Sequence, residues 1–122
     1  MQITFARYGG WNFRGFDIAN HFSGWVGGTD DGHPDYSKFP TRKQQAHFCS
    51  AYLEESGVEV TKDSINELLD EICLFIQVSH LFWALWAVNQ ASSEGCEDFP
   101  YLSYARARIK QFRRRVDCFN YT

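Results

Sequence analysis

A mainly α fold with one short N-terminal strand is what this chain predicts, and three features carry the prediction. From Ser64 to Gln90, Ile65, Leu68, Ile72, Phe75, Ser79, Phe82 and Trp86 recur at three- and four-residue steps, which places them on one face of a 3.6-residue period. The pairs Thr41 with Gln44 and Ser64 with Glu67 have the spacing of a capping box, in which side chains satisfy N–H groups left bare at a helix start. Behind Pro100, Leu102, Ala105, Ile109, Phe112 and Val116 form an apolar stripe. Proline suits a helix's first turn, where its missing N–H costs nothing.

In chain order, Gln2 to Tyr8 alternates loosely through Ile3, Thr4 and Phe5 and predicts a short strand that Gly9-Gly10 ends. Asp17 is placed to cap a helix from Ile18 to Val26, with Ile18, Ala19, Phe22, Trp25 and Val26 inward and Gly27-Gly28 as its stop. Thr29 to Pro40 is a loop rich in Gly, Asp and Pro. Thr41 opens a helix to about Ser56 that buries Ala46, Cys49, Tyr52 and Leu53 and stops at Gly57. The long helix follows, Ser64 acting as its cap. Because Leu74, Val78, Leu81, Leu85 and Val88 make a second apolar face, it is amphipathic at its start and apolar all round at its end, the pattern of a helix that enters a core and is buried there. A polar turn, Ser92 to Asp98, leads to the last helix, whose arginines occupy its other faces and its end. One strand has no ladder to join, so the chain reads as part of a larger fold.

At 122 residues the chain suits one small domain. The net charge of −3, with Arg106, Arg108, Lys110, Arg113, Arg114 and Arg115 crowded near the C-terminus, excludes a general nucleic-acid binder. The Arg113-Arg114-Arg115 run reads as a solvated helix end. An aromatic share of 17% suits a crowded core or ring walls for a ligand. Cys49, Cys73, Cys96 and Cys118 are widely spaced, three of them within helical patterns, which predicts reduced thiols and a cytoplasmic protein. The four histidines form no cluster of ligand spacing, so no metal site is expected. No signal peptide and no phosphate-cradling glycine loop is visible. The apolar run from Ile72 to Val88 is shorter than the ~20 residues a bilayer needs and holds Gln77, Ser79 and His80, so no membrane span is expected.

Three stretches together resemble the C-terminal portion of the choline/ethanolamine kinases. Tyr8-Gly-Gly-Trp-Asn-Phe-Arg-Gly-Phe-Asp-Ile-Ala-Asn-His-Phe22 is similar to a signature ending in FDI-x-NHF, and Asp35-Tyr-Ser-Lys-Phe-Pro-Thr41 to a DYS-x-[YF]-PT loop. Ser79-His-Leu-Phe-Trp-Ala-Leu-Trp-Ala87 is similar to a helix of pattern SH-x-x-WGLW. The resemblance implies that residues 1–122 are a partial domain, the helical C-terminal lobe of a protein-kinase-like fold, without its ATP-binding lobe and catalytic loop. It implies transfer of the ATP γ-phosphoryl group to choline or ethanolamine, with magnesium, in phospholipid biosynthesis. It also places Tyr8, Trp83, Trp86, Phe99 and Tyr104 along the choline pocket. Spacing alone reads Trp83 and Trp86 as core; the resemblance reverses that, since a tryptophan face is the best ring for an ammonium.

The departures bear on activity. Where the family carries Asp-Phe-Glu before the tyrosine, with the aspartate on magnesium, this chain has Phe5-Ala6-Arg7. An acid that the family places two residues beyond NHF, near the substrate's cation, is Gly24 here. No catalytic or metal-binding residue and no bound ATP or magnesium is therefore expected of this chain alone, and choline or ethanolamine should bind weakly. Asp17 is read as a helix cap, and Asn20 and His21 as making buried hydrogen bonds that fix the strand–helix junction. The rival reading is a non-catalytic interaction module, or an orphan fragment, that binds a partner such as an intact kinase.

Overall fold

A computed structural model of the chain describes residues 13–120, with side chains as far as Arg114. The predicted strand and Tyr8 lie outside the described residues. Four α-helices follow one another: α1 (Arg14–Gly24), α2 (Arg42–Glu55), α3 (Lys62–Glu94) and α4 (Tyr101–Asn120), with a 3₁₀ turn at Tyr36–Lys38. The chain divides into two compact units. One comprises the described residues up to Trp25 together with Phe39–Ile76, and the other comprises Val26–Lys38 and the chain from Gln77 onward.

In the first unit, Ile18, Ala19 and Phe22 of α1, Cys49, Tyr52 and Leu53 of α2, and Leu68, Leu69, Ile72 and Ile76 of α3 bury one another. The start of α1 lies upstream of the expected Asp17 cap. Phe13, with extended backbone and no side-chain capping bond, precedes Arg14. Two contacts with α3 set this start. The Arg14 guanidinium donates to both Glu71 carboxylate oxygens, Nη2 at 3.0 Å and Nε at 3.2 and 3.3 Å. Gly15 packs so closely on Phe75 that no Cβ would fit. Asp17 thus lies inside the helix, 5% exposed, with no hydrogen-bond partner for Oδ2, and burial raises its pKa. His21 packs against Phe48, ring centroids 5.1 Å apart. Trp25 is not inward: it is the C-cap residue and is 44% exposed.

The α2 capping box forms where the sequence puts it. The Gln44 N–H donates to Thr41 Oγ1 (3.2 Å) and the Thr41 N–H to Gln44 Oε1 (2.8 Å), and Gly57, at φ +77°, turns the chain away beyond the helix. The box at α3 lies one turn earlier than expected. The Thr61 N–H donates to Ser64 Oγ (2.8 Å) and the Ser64 N–H to Thr61 Oγ1 (3.0 Å), so Ser64 is the inner partner and Thr61 the cap.

In the second unit α3 continues to Glu94 and is ended by Gly95 at φ +74°. Its pairing with α4 is antiparallel. The Tyr101 hydroxyl donates to Glu94 Oε2 (2.9 Å), Arg108 Nη2 to Ser79 Oγ (2.9 Å) and Gln77 Nε2 to the Phe112 carbonyl (3.1 Å). Ala84, Ala87, Tyr104 and Ala105 form the buried centre. The expectation that the end of α3 is buried all round is not met. Val78, Leu81, Phe82, Leu85 and Val88 are 40 to 62% exposed, and Leu74 is exposed too. The buried face instead carries Gln77, Ser79, His80, Ala84 and Ala87. The small Ala84 and Ala87 let α4 approach, which leucines there would hold off. On α4, likewise, Leu102 of the expected stripe is exposed while Arg108 is 3% exposed. By length and composition alone α3 is long and apolar enough to cross a membrane.

Candidate functional site

Trp83 and Trp86 lie one turn apart on α3, and the helix period brings both toward α4. Their rings meet edge to face, centroids 5.5 Å apart and planes at 76°. Trp86 then meets Tyr101 (5.7 Å, 76°) and Tyr104 (6.5 Å, 82°) of α4. Phe99, just before α4, closes the group against Tyr101 (4.8 Å) and Tyr104 (6.1 Å). Four of the five residues expected at a site, Trp83, Trp86, Phe99 and Tyr104, therefore share one cluster. Tyr104 is buried and the other three are partly buried. The fifth, Tyr8, lies outside the described residues.

Tyr101 belongs to the cluster and the sequence reading missed it. Its position three residues before Tyr104, beside Pro100, was the available signal. Gly32 helps to fix this end of α4: at φ +77° it lies under the Pro100 ring, where a Cβ would collide.

A second missed residue is Arg108. Its guanidinium carbon lies 6.0 Å from the Tyr104 ring centroid, within cation–π range. Nη2 donates to Ser79, Nε has no partner, and among the described residues no carboxylate pairs with it. One side of Tyr104 thus already faces a fixed positive charge, which opposes an ammonium bound to the same ring. Glu94 reaches the rim of the cluster, where it accepts the Tyr101 hydroxyl hydrogen bond. Nothing local flags Arg108, because a helix with many basic residues reads as solvated.

What the cluster can do chemically is bind. Successive rings at right angles offer π faces to a methylated or primary ammonium, and no nucleophile or proton-transfer pair accompanies them among the residues named. Among the described residues no three His, Cys, Asp or Glu side chains converge as metal ligands. The ring cluster does not offer the converging oxygen ligands that a nucleotide-bound magnesium takes. A shallow groove of about 490 Å³ is lined by Arg42, Ala46, Val60, Lys62 and Leu69 among others; it belongs to the first unit and includes none of the expected site residues.

Comparison with known proteins places the chain in a family. The choline/ethanolamine kinase family profile matches residues 3–113. Mouse choline/ethanolamine kinase is 42% identical over 121 residues, covering 90% of this chain and 30% of its own length. Human ethanolamine kinase 1 is 38% identical over 118 residues, covering 92% of this chain and 25% of its own. The structure of an ethanolamine kinase from Plasmodium vivax superimposes with a TM-score of 0.66 at 31% identity, over 84% of this chain and 26% of that one. The class is thus the helical part of a protein-kinase-like fold. The chain belongs to the choline/ethanolamine kinase family and spans less than a third of the length of these relatives.

Proposed function

We propose that this chain is the aminoalcohol-binding C-terminal lobe of a choline/ethanolamine kinase domain. Trp83, Trp86, Phe99 and Tyr104 seat the ammonium group of choline or ethanolamine. The observation that carries the reading is the edge-to-face run Trp83–Trp86–Tyr104, which keeps ring faces together on two helices. Phosphoryl transfer from ATP with magnesium belongs to the complete domain; this chain contributes the walls that hold the acceptor alcohol. Cation–π contacts contribute ~0.5 to 2 kcal/mol each. With Arg108 opposing and Gly24 in place of an acid, three or four of them correspond to affinity of order millimolar, about −4 kcal/mol.

Tryptophan fluorescence during choline titration tests this. A change at millimolar choline is expected, smaller with ethanolamine, which lacks the methyl groups, and lost in Trp86→Ala. A response that survives loss of both Trp83 and Trp86, or saturation at micromolar choline, would overturn the assignment. A second reading, a non-catalytic interaction module, is favoured by one observation, the apolar stripe left exposed on α3.

A further inference from the structure

The groove of about 490 Å³ in the first unit takes no part in the aromatic cluster, and its charged lining is of one sign. Arg42 and Lys43 at the start of α2 and Lys62 at the start of α3 line it, and among the described residues no carboxylate does. The apolar part of the lining is Ala46, Val60, Ile65 and Leu69. The chain carries a net charge of −3, so three cations round one apolar hollow do not follow from its composition. We infer that this groove binds a single-chain anionic amphiphile, a monomeric molecule with a carboxylate head and an alkyl tail. The head meets the three cations and the tail covers the apolar lining. The site is independent of the kinase-lobe reading above.

Burial grades the lining in the order such a ligand needs. Leu69 is buried, Ala46 and Ile65 are half-buried, and the three cations are exposed. The apolar groups therefore lie deeper than the charges. Those charges are available: among the described residues the salt bridge is Arg14–Glu71, and none of the three is paired with a carboxylate. A groove of this volume is about 10 Å across, close to the ~8 Å Debye length at physiological salt, so the three act together on one anion. The helix starts add little of their own. The Gln44 N–H bonds to Thr41 and the Ser64 N–H to Thr61, so the side-chain charges carry the attraction.

Other occupants fit less well. A bare inorganic anion would leave the apolar lining unused, and the Thr61 hydroxyl is already engaged with Ser64. A protein partner needs about 20–30 residues a side for a stable interface, whereas nine line this groove. Its volume falls instead within the ~300–1,000 Å³ of small-ligand sites. A flat bilayer surface would meet the exposed cations without reaching the buried Leu69.

The test is calorimetric titration of the full chain with decanoate below its micelle-forming concentration. Decyl glucoside serves as the neutral ligand of equal chain length, and phosphatidylglycerol vesicles as the anionic surface. Saturable decanoate binding is expected, at least tenfold tighter than that of decyl glucoside and weaker at high salt. Arg42→Glu/Lys62→Glu should weaken it at least tenfold. Both changes put an acid in the first turn of a helix, where it suits the dipole, so the fold is retained.

Arg106→Glu/Arg113→Glu, at exposed positions on α4, makes the same change in net charge and should leave decanoate binding as it is. Val60→Asp, at a position 38% exposed, removes apolar contact and adds a like charge; it should weaken decanoate at least tenfold with far-ultraviolet circular dichroism unchanged. The inference is overturned by the absence of saturable decanoate binding, or by decyl glucoside binding as tightly. Equal weakening by the two arginine-containing pairs, or binding seen with the vesicles alone, would also overturn it.

Discussion

Gly15 and Gly24 stand at the two ends of α1, and one methyl group tells them apart. A Cβ on Gly15 would run into the Phe75 ring, whereas one on Gly24 meets nothing. Gly15→Ala should therefore cost about 1–3 kcal/mol by overpacking, and Gly24→Ala should add about 0.5–1 kcal/mol by restricting the unfolded chain. Urea unfolding of the two variants checks the opposite signs. Among the thiols, Cys49 is buried and burial pushes its pKa up to about 11, while Cys96 is exposed. Because the thiolate is the reactive form, at pH 8 a thiol of that pKa is ionised to roughly one part in a thousand. Ellman's reagent should label Cys96 at once and Cys49 only after unfolding; early modification of Cys49 would show that the α1–α2–α3 core opens readily. At this scale the sequence was legible where the chemistry is local. Thr41 and Gln44 complete their bonds within one turn, as their spacing predicts. Asp17 was misread because its buried position is set by Arg14 and Gly15 packing on α3, dozens of residues away.

The pairing of α3 with α4 depends on a polar contact that neither helix announces. Ser79, fully buried, accepts from Arg108, whose Nε has no partner. Ser79→Ala removes that acceptor and leaves the guanidinium still less satisfied, so a loss of about 1–3 kcal/mol is expected. Arg108→Met removes the buried charge itself, and replacement of buried charge by apolar groups of similar volume is often neutral or stabilising by ~1–4 kcal/mol. Thermal unfolding should then place Arg108→Met at or above the parent chain and Ser79→Ala below it; the reverse order would mean that Arg108 is fully compensated. Periodicity showed that α3 exists and roughly where it ends. It could not choose between two apolar faces. The choice went to Ala84 and Ala87, because the partner helix needs a close approach, and the larger leucines were left outward.

For the whole molecule, the family assignment and the composition of this chain lead to different expectations. By the resemblance the family's reaction is phosphoryl transfer, and by the same resemblance Phe5-Ala6-Arg7 falls at the positions expected of the metal-binding triplet. Loss of such groups removes several powers of ten in rate. The chain incubated with ATP, magnesium and choline or ethanolamine should yield no phosphorylated product above background. Magnesium-dependent phosphocholine formation by a preparation free of other kinases would refute this. What the sequence determined by itself was the set of helices, the Thr41/Gln44 cap of α2 and the family. Each depends on residues a few positions apart or on short motifs. Tertiary structure alone decided that α1 begins at Arg14, that Tyr101 joins the aromatic cluster, that Arg108 is buried behind Tyr104, and that the leucine face of α3 is exposed. Those outcomes turn on which surface meets a partner helix, and the free energy of that meeting comes from side chains far apart in the chain, to which local periodicity is blind.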